Sequence, residues 1–156
     1  MTPYENIIDR FIRKIKQDKE YFCVNGVTEE QLVQIVNKRS IELLDDAVSE
    51  IQPMISVAQK VDFLNKDDDM EEFNFELTKL EEDLISDMMV VKYFDEALVK
   101  LKAMQKYLGD DIKVFSPANE RKTFKEMVEF KRQLFEVKLA NYNTRNRLTG
   151  SYLLVY

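Results

Sequence analysis

The sequence contains no histidine and no tryptophan, one cysteine, and only three glycines and three prolines in 156 residues. Without histidine there is no imidazole for general acid–base work, no Ser-His-Asp triad, and no nitrogen ligand for zinc or a helical di-iron site. The lone Cys23 has no internal disulfide partner, and beside Tyr21 and Phe22 it reads as a small packed apolar group. So few glycines and prolines suit long helices and suit a many-turned sandwich or barrel poorly. No uninterrupted apolar run approaches the roughly 18 residues of a membrane-spanning helix. The opening MTPYENIIDRFIRKIKQ is amphipathic and does not resemble a secretory leader. A reducing, aqueous compartment is expected. The net charge of -6 argues against a dedicated nucleic-acid binder, which needs a basic face to neutralise phosphates.

What is present is helical periodicity. From Thr78 to Leu108 the apolar residues Leu80, Leu84, Met88, Val91, Phe94, Leu98, Leu101, Met104 and Leu108 recur at steps of three or four. Thr78 and Glu81 form a capping-box pair at its start. Around Met88 to Val91 the apolar character runs nearly all the way round, which predicts burial on several sides. This is the expected central helix, with a kink or break allowed near Tyr93 to Glu96 and Gly109 closing it.

A first helix is expected with Thr2 as N-cap and Pro3 at the first helical position. Tyr4, Ile7, Ile8, Phe11, Ile12 and Ile15 form its apolar stripe, and Arg10, Arg13, Lys14 and Lys16 lie largely outside it. A core-facing helix is preferred over a membrane-surface one. After Gly26, Thr28 and Gln31 repeat the capping pattern, and a second helix runs from there until Pro53. Over Met54 to Leu77 the pattern weakens. ISVAQKV reads equally as a short helix or as extended chain, and the alternation of Phe73, Phe75 and Leu77 allows a short strand. In FSPANERKTF, Ser116 is the expected N-cap, Pro117 the first helical residue and Phe115 a staple. Phe124, Met127, Val128, Lys131, Leu134, Phe135, Lys138 and Tyr142 trace one side of that last helix. The reading is an all-α, single-domain bundle of about four main helices over 1–143, with an extended C-terminal arm over 144–156.

Candidate chemistry is sparse. Asn65, Asp67, Asp69 and Glu76 fall at positions one, three, five and twelve of a calcium-loop template. Met70 occupies the position where that loop needs glycine, so a solvated acidic loop is the better account. Glu81, Glu82 and Asp83 in a first helical turn are explained by the helix dipole. Arg121, Lys122 and Lys125 are interleaved with Glu120, Glu126 and Glu129, which makes surface ion pairs more plausible than a phosphate site. No catalytic residue, metal or cofactor is expected, and the chain is not read as an enzyme.

The tail is the unexplained part. Arg145 and Arg147 sit among small polar residues, and Tyr152, Leu153, Leu154, Val155 and Tyr156 end the chain on a run that is costly to expose. Two readings stand side by side: a flap folded back on its own core, or an arm that binds a partner subunit.

The order of elements resembles a known family. PYENIIDRFI, FNFELTKLEEDLISDMMVVKYFDEAL, KVFSPANERKTFKEM, a last helix and a tyrosine-rich end look like the head–tail connector (adaptor or head-completion) proteins of tailed bacteriophages. The resemblance is most specific over 73–95 and 114–130, and the end YNTRNRLTGSYLLVY runs on beyond the family pattern. It implies a helical protomer in a homo-oligomeric ring, expected to be a dodecamer, beneath the portal protein. Double-stranded DNA would pass through without sequence-specific binding, and a downstream neck or tail protein would dock below. The resemblance also implies a docking arm of Arg145, Arg147, Leu148, Tyr152, Leu153, Leu154, Val155 and Tyr156, and a place in the virion neck. The rivals are another neck or tail-completion protein, richer in strand, and a non-virion helical protein-binding module.

Overall fold

The computed structural model describes residues 1–15, 28–108 and 117–153. The expectations for Lys16, Cys23, Gly26, Gly109, Phe115, Ser116 and Leu154 to Tyr156 lie outside those residues. Among the described residues the architecture is mostly α-helical: α1 (Tyr4–Lys14), α2 (Glu29–Ile51), α3 (Lys79–Leu108) and α4 (Pro117–Asn143). A small antiparallel ribbon joins them, made of β1 (Thr2–Pro3), β2 (Lys66–Asp67) and β3 (Glu72–Phe73) in the order β1-β3-β2.

The hub is α3, against which α1, α2 and α4 all pack. Leu84, Ile85, Met88, Met89, Val90 and Val91 are all buried, the all-round burial that the apolar run predicts. The helix passes through Tyr93 to Glu96 without a break. Tyr93 and Phe94 pack edge to face there, and Tyr93 also meets Phe11 of α1 edge to face. Both capping boxes form. Thr28 and Gln31 exchange their bonds at α2, and Thr78 and Glu81 do so at the entry to α3.

α1 starts one residue later than expected, and Thr2 is not its cap. The backbone at Pro3 is extended, and Thr2 and Pro3 pair with Phe73 and Glu72. The Thr2 hydroxyl instead accepts from the Leu77 amide at 2.9 Å, fastening the chain's start to the approach to α3. A proline tolerates this edge-strand place because it has no amide to leave unpaired. The α1 stripe of Tyr4, Ile7, Ile8, Phe11 and Ile15 is buried. Its basic side faces α3: Arg10 pairs with Glu82 at 3.1 Å, and Lys14 reaches Asp83 and Asp87, both at 2.7 Å.

The segment left open between Pro53 and Leu77 is neither a regular helix nor a strand for most of its length. α2 ends at Ile51 and passes into a 3-10 turn over Gln52–Met54 that contains Pro53. A second 3-10 turn covers Val57–Gln59, with Lys60 in the left-handed region after it. In the acidic connector, Asp67 accepts from the amides of Asp69 and Met70, and Asp68 takes the Tyr4 hydroxyl at 2.7 Å and the Lys66 ammonium. Burial and the Asp68 carboxylate push the Tyr4 phenol well above its ordinary range. These carboxylates are therefore used by the chain's own donors.

One buried polar group is unmatched. The Ser40 hydroxyl on α2 is fully buried and has no hydrogen-bond partner among the described residues. An unsatisfied hydroxyl costs about 1–3 kcal/mol of desolvation. Ser40→Ala is expected to raise the melting temperature by about 2–4 °C, the shift of roughly 1 kcal/mol in a domain this size. A thermal melt followed by circular dichroism checks it, and a lowered midpoint contradicts the unpaired assignment.

Candidate functional site

The tail residues singled out by sequence begin where α4 ends, and local chemistry turns the chain back at once. Asn146 is the pivot. Its side-chain oxygen accepts from the amides of Leu148 and Thr149, its carbonyl accepts from Gly150, and its amide donates to Ser151. Gly150 has φ +69°, the left-handed conformation that favours glycine. The returning strand bridges Arg145 to Tyr152, and the Leu153 amide donates to the Thr144 carbonyl at 2.8 Å. Residues 144–153 thus form a tight hairpin folded back on the body.

Three side chains fasten the hairpin. Gln59, itself buried, donates to the carbonyls of Tyr142 (2.6 Å) and Arg145, and accepts from the Arg147 amide at 3.1 Å. Asn143 donates to the Met54 carbonyl and accepts from the Ser56 amide, both at 2.9 Å, which ties the end of α4 to the same turn. The third is Arg147. Its Nε and Nη2 meet the two oxygens of Glu81 at 2.6 and 2.8 Å, and Nη2 also donates to the Glu76 carbonyl.

Glu81 is 0% exposed. Its carboxylate accepts four hydrogen bonds: from the Tyr142 hydroxyl at 2.6 Å, twice from Arg147, and from the Thr78 amide at 2.7 Å. Burial alone would raise its pKa. The bonds from Arg147, Tyr142 and Thr78 outweigh that and hold it below the ordinary carboxylate range. Burial and the Glu81 carboxylate in turn drive the Tyr142 phenol well upward. With every acceptor position taken, this cluster fastens the tail and has no free lone pair to take a substrate's proton.

The five described tail residues consequently divide. Arg147 points inward and is spent on Glu81. Arg145 stays exposed, donating to the Tyr152 hydroxyl at 3.0 Å with its guanidinium 4.6 Å from that ring's centre. Leu148 and Tyr152 are 76% and 70% exposed, and Leu153 is half-buried. A cleft of about 410 Å³ lies between this hairpin, Leu80 at the start of α3, and Lys138 and Asn141 on α4. Among the described residues no three acidic or thiol side chains converge as a metal site requires, and no helix is long and apolar enough to cross a membrane.

Comparison with known proteins is silent. No protein-family model, curated protein or solved structure matches the chain. The site therefore rests on its own geometry.

Sequence reasoning found Glu81 as a helix cap and Arg147 as part of a docking arm, but did not join them. Gln59 escaped it altogether, because a glutamine in a segment without periodicity carries no signal of what it will meet.

Two outcomes follow from the buried pair. Arg147→Met leaves the Glu81 carboxylate buried without its cation and should cost about 3–5 kcal/mol, with Glu81→Gln in the same chain recovering much of the loss. Denaturant titration of the two variants checks this. Because the folded pKa of Glu81 is depressed, its stabilisation is full above its ordinary value of 4.5 and is lost as pH falls through the lower folded value. Melting temperature should fall less steeply below that pH in the double variant than in the unaltered chain. Equal slopes would show that the pair contributes nothing to acid sensitivity.

Proposed function

We propose that this chain is a head-to-tail connector of a tailed bacteriophage. It is a structural virion protein, not a catalyst, whose copies form a ring under the portal. The ring, a dodecamer on the family pattern, extends the DNA channel and presents a surface to the next neck or tail component. One observation carries the reading. The stretch 73–95, one of the two most specific pieces of the family resemblance, is also the part of the fold to which α1, α4 and the C-terminal hairpin are all fastened, through Glu81, Glu82, Asp83 and Asp87. A negative protein surface suits a conduit through which DNA slides, because it repels phosphate and gives it nothing to hold. The protein would be made in the host bacterial cytoplasm and reside in the virion neck.

Within this reading the portal contact belongs to the outward side of the hairpin, Arg145, Leu148 and Tyr152, and to Leu153 and Leu154 to Tyr156. Arg147 serves by holding that surface in place.

A second reading has one observation in its favour. The groove between α1 and α2, about 520 Å³, is floored by Ile8, Ile12 and Val36 and edged by Glu5, Asp9 and Glu71. That suits a regulatory module that takes a basic amphipathic helix of a partner protein.

Co-sedimentation with tailless, DNA-filled phage heads separates the two. The full chain is expected to pellet with heads. A chain ending at Leu153, which keeps the Arg147–Glu81 pair, and the Tyr152→Ser variant should each bind roughly tenfold more weakly, as expected on loss of an aromatic anchor. If all three pellet equally, the tail assignment fails and the ring reading stands. If none pellets, the connector reading falls and the regulatory one gains.

A further inference from the structure

α4 is apolar on two opposite sides, and only one of them is used. Val128, Phe135, Leu139 and Tyr142 face the body and are buried. On the other side Phe130, Leu134 and Val137 are 58%, 46% and 61% exposed. Met127, half-buried, precedes them by one step, and Asn141 follows by one. The steps from Met127 to Phe130, Leu134, Val137 and Asn141 alternate three and four, the spacing of the a and d positions in a two-stranded coiled coil. In that register Met127, Leu134 and Asn141 are a positions, and Phe130 and Val137 are d positions.

The residues flanking this seam identify its occupant. Glu126 and Gln133 lie on one flank at g positions; Lys131 and Lys138 lie on the other at e positions. When two such helices run parallel, each g residue meets the e residue five positions on in its partner, so Glu126 meets Lys131 at both edges of the seam. When they run antiparallel, like flanks face each other, and Lys131 is set against Lys138. Glu126 and Lys131 are both exposed, and neither has an ion pair among the described residues. Lys138 is already held by Asp83 and Asp87 at 2.8 and 2.6 Å, which leaves Glu126 and Lys131 as the pair free to choose the orientation. A polar Asn141 at an a position is the kind of residue that fixes register in parallel pairs.

We infer that α4 is a self-recognition surface on which a second copy of this chain docks in parallel, seam against seam. The seam from Met127 to Asn141 is roughly 21 Å long at helical rise, about two heptads. That is short for an independent coiled coil, so the pair is weak, on the order of micromolar to tens of micromolar. A two-fold pair closes at two copies. A ring of equivalent subunits has no place for such a contact, so the pair describes the free protein before it docks. The inference does not depend on the connector reading.

Sedimentation equilibrium of the full chain over a broad concentration range tests it. The expected result is a reversible monomer–dimer equilibrium. Leu134→Glu, which alters an exposed position, should weaken it at least about tenfold while leaving the melting temperature within a few degrees. Glu126→Lys and Lys131→Glu should each weaken it severalfold, and the two together should restore it, because only a parallel pair brings these residues into contact across the seam. A monomer at all concentrations, a dimer indifferent to Leu134→Glu, or a failure of the double exchange to restore pairing overturns the inference. None of these outcomes bears on binding to phage heads, so the two proposals fail separately.

Discussion

A carboxylate removed from water must be given back the hydrogen bonds it loses, and Glu81 is the residue on which this fold imposes that condition. It is fully buried at the entry to α3 and takes four hydrogen bonds from three different parts of the chain. A buried pair of this kind adds little net stability over an apolar equivalent, but it is expensive to break. Its effect is therefore one of specification. Arg147 can satisfy Glu81 only if α4 ends where it does, if Asn146 turns the chain, and if Gln59 is in place to receive the Arg147 amide. The geometry of the last described residues is set by a requirement that originates some sixty positions earlier in the chain.

The same end of α3 organises charge on a larger scale. Asp83 and Asp87 are shared between Lys14 of α1 and Lys138 of α4, and further along Glu50 and Asp95 share Arg132. Burial by itself would raise the Asp83 pKa, yet the bonds from Lys138 and Lys14 carry it below its ordinary range. Substitutions within such a network do not add, because each lysine's removal changes the repulsion between the two aspartates that it bridges. The apolar packing of α1 and α4 on α3 is accompanied by ionic cross-links between the same helices. Local helix preference, burial and charge agree there, the condition for a single well-defined native arrangement.

This agreement explains which parts of the molecule could be read from the sequence. α3 was legible because periodicity and capping both point to it, and Thr78 with Glu81 marks its start as well as any pair in the chain. The α1 stripe was legible from its periodicity alone. The start of α1 was not. Pro3 fits a first helical turn and an edge strand equally well, and only pairing with Phe73 and Glu72, far off in sequence, decides between them. On α4 the expected face mixed two: Val128, Phe135 and Tyr142 point inward, whereas Leu134 points out. A helix with two apolar sides gives a blurred period, and composition does not say which side the body takes. The tail was legible as unusual, but its sequence left the folded-back flap and the partner arm level, because Arg147 advertises a charge and not the carboxylate it will reach.

What the fastening of the tail implies for recognition is specific. A partner that displaced Arg147 from Glu81 would have to supply a cation and a second donor to a carboxylate with no exposed surface, or leave it buried and unpaired. That cost exceeds what most single contacts return. Docking through this end of the molecule is therefore constrained to use the hairpin as a preformed surface, with its ordering already accomplished by the fold. Leu148 and Tyr152 stand out from the body because Arg147 is held within it, and the guanidinium of Arg145 over the Tyr152 ring limits the conformations that the aromatic side chain must give up on binding. An inward arginine and an outward tyrosine five residues apart are two halves of one arrangement: the first fixes where the second is presented.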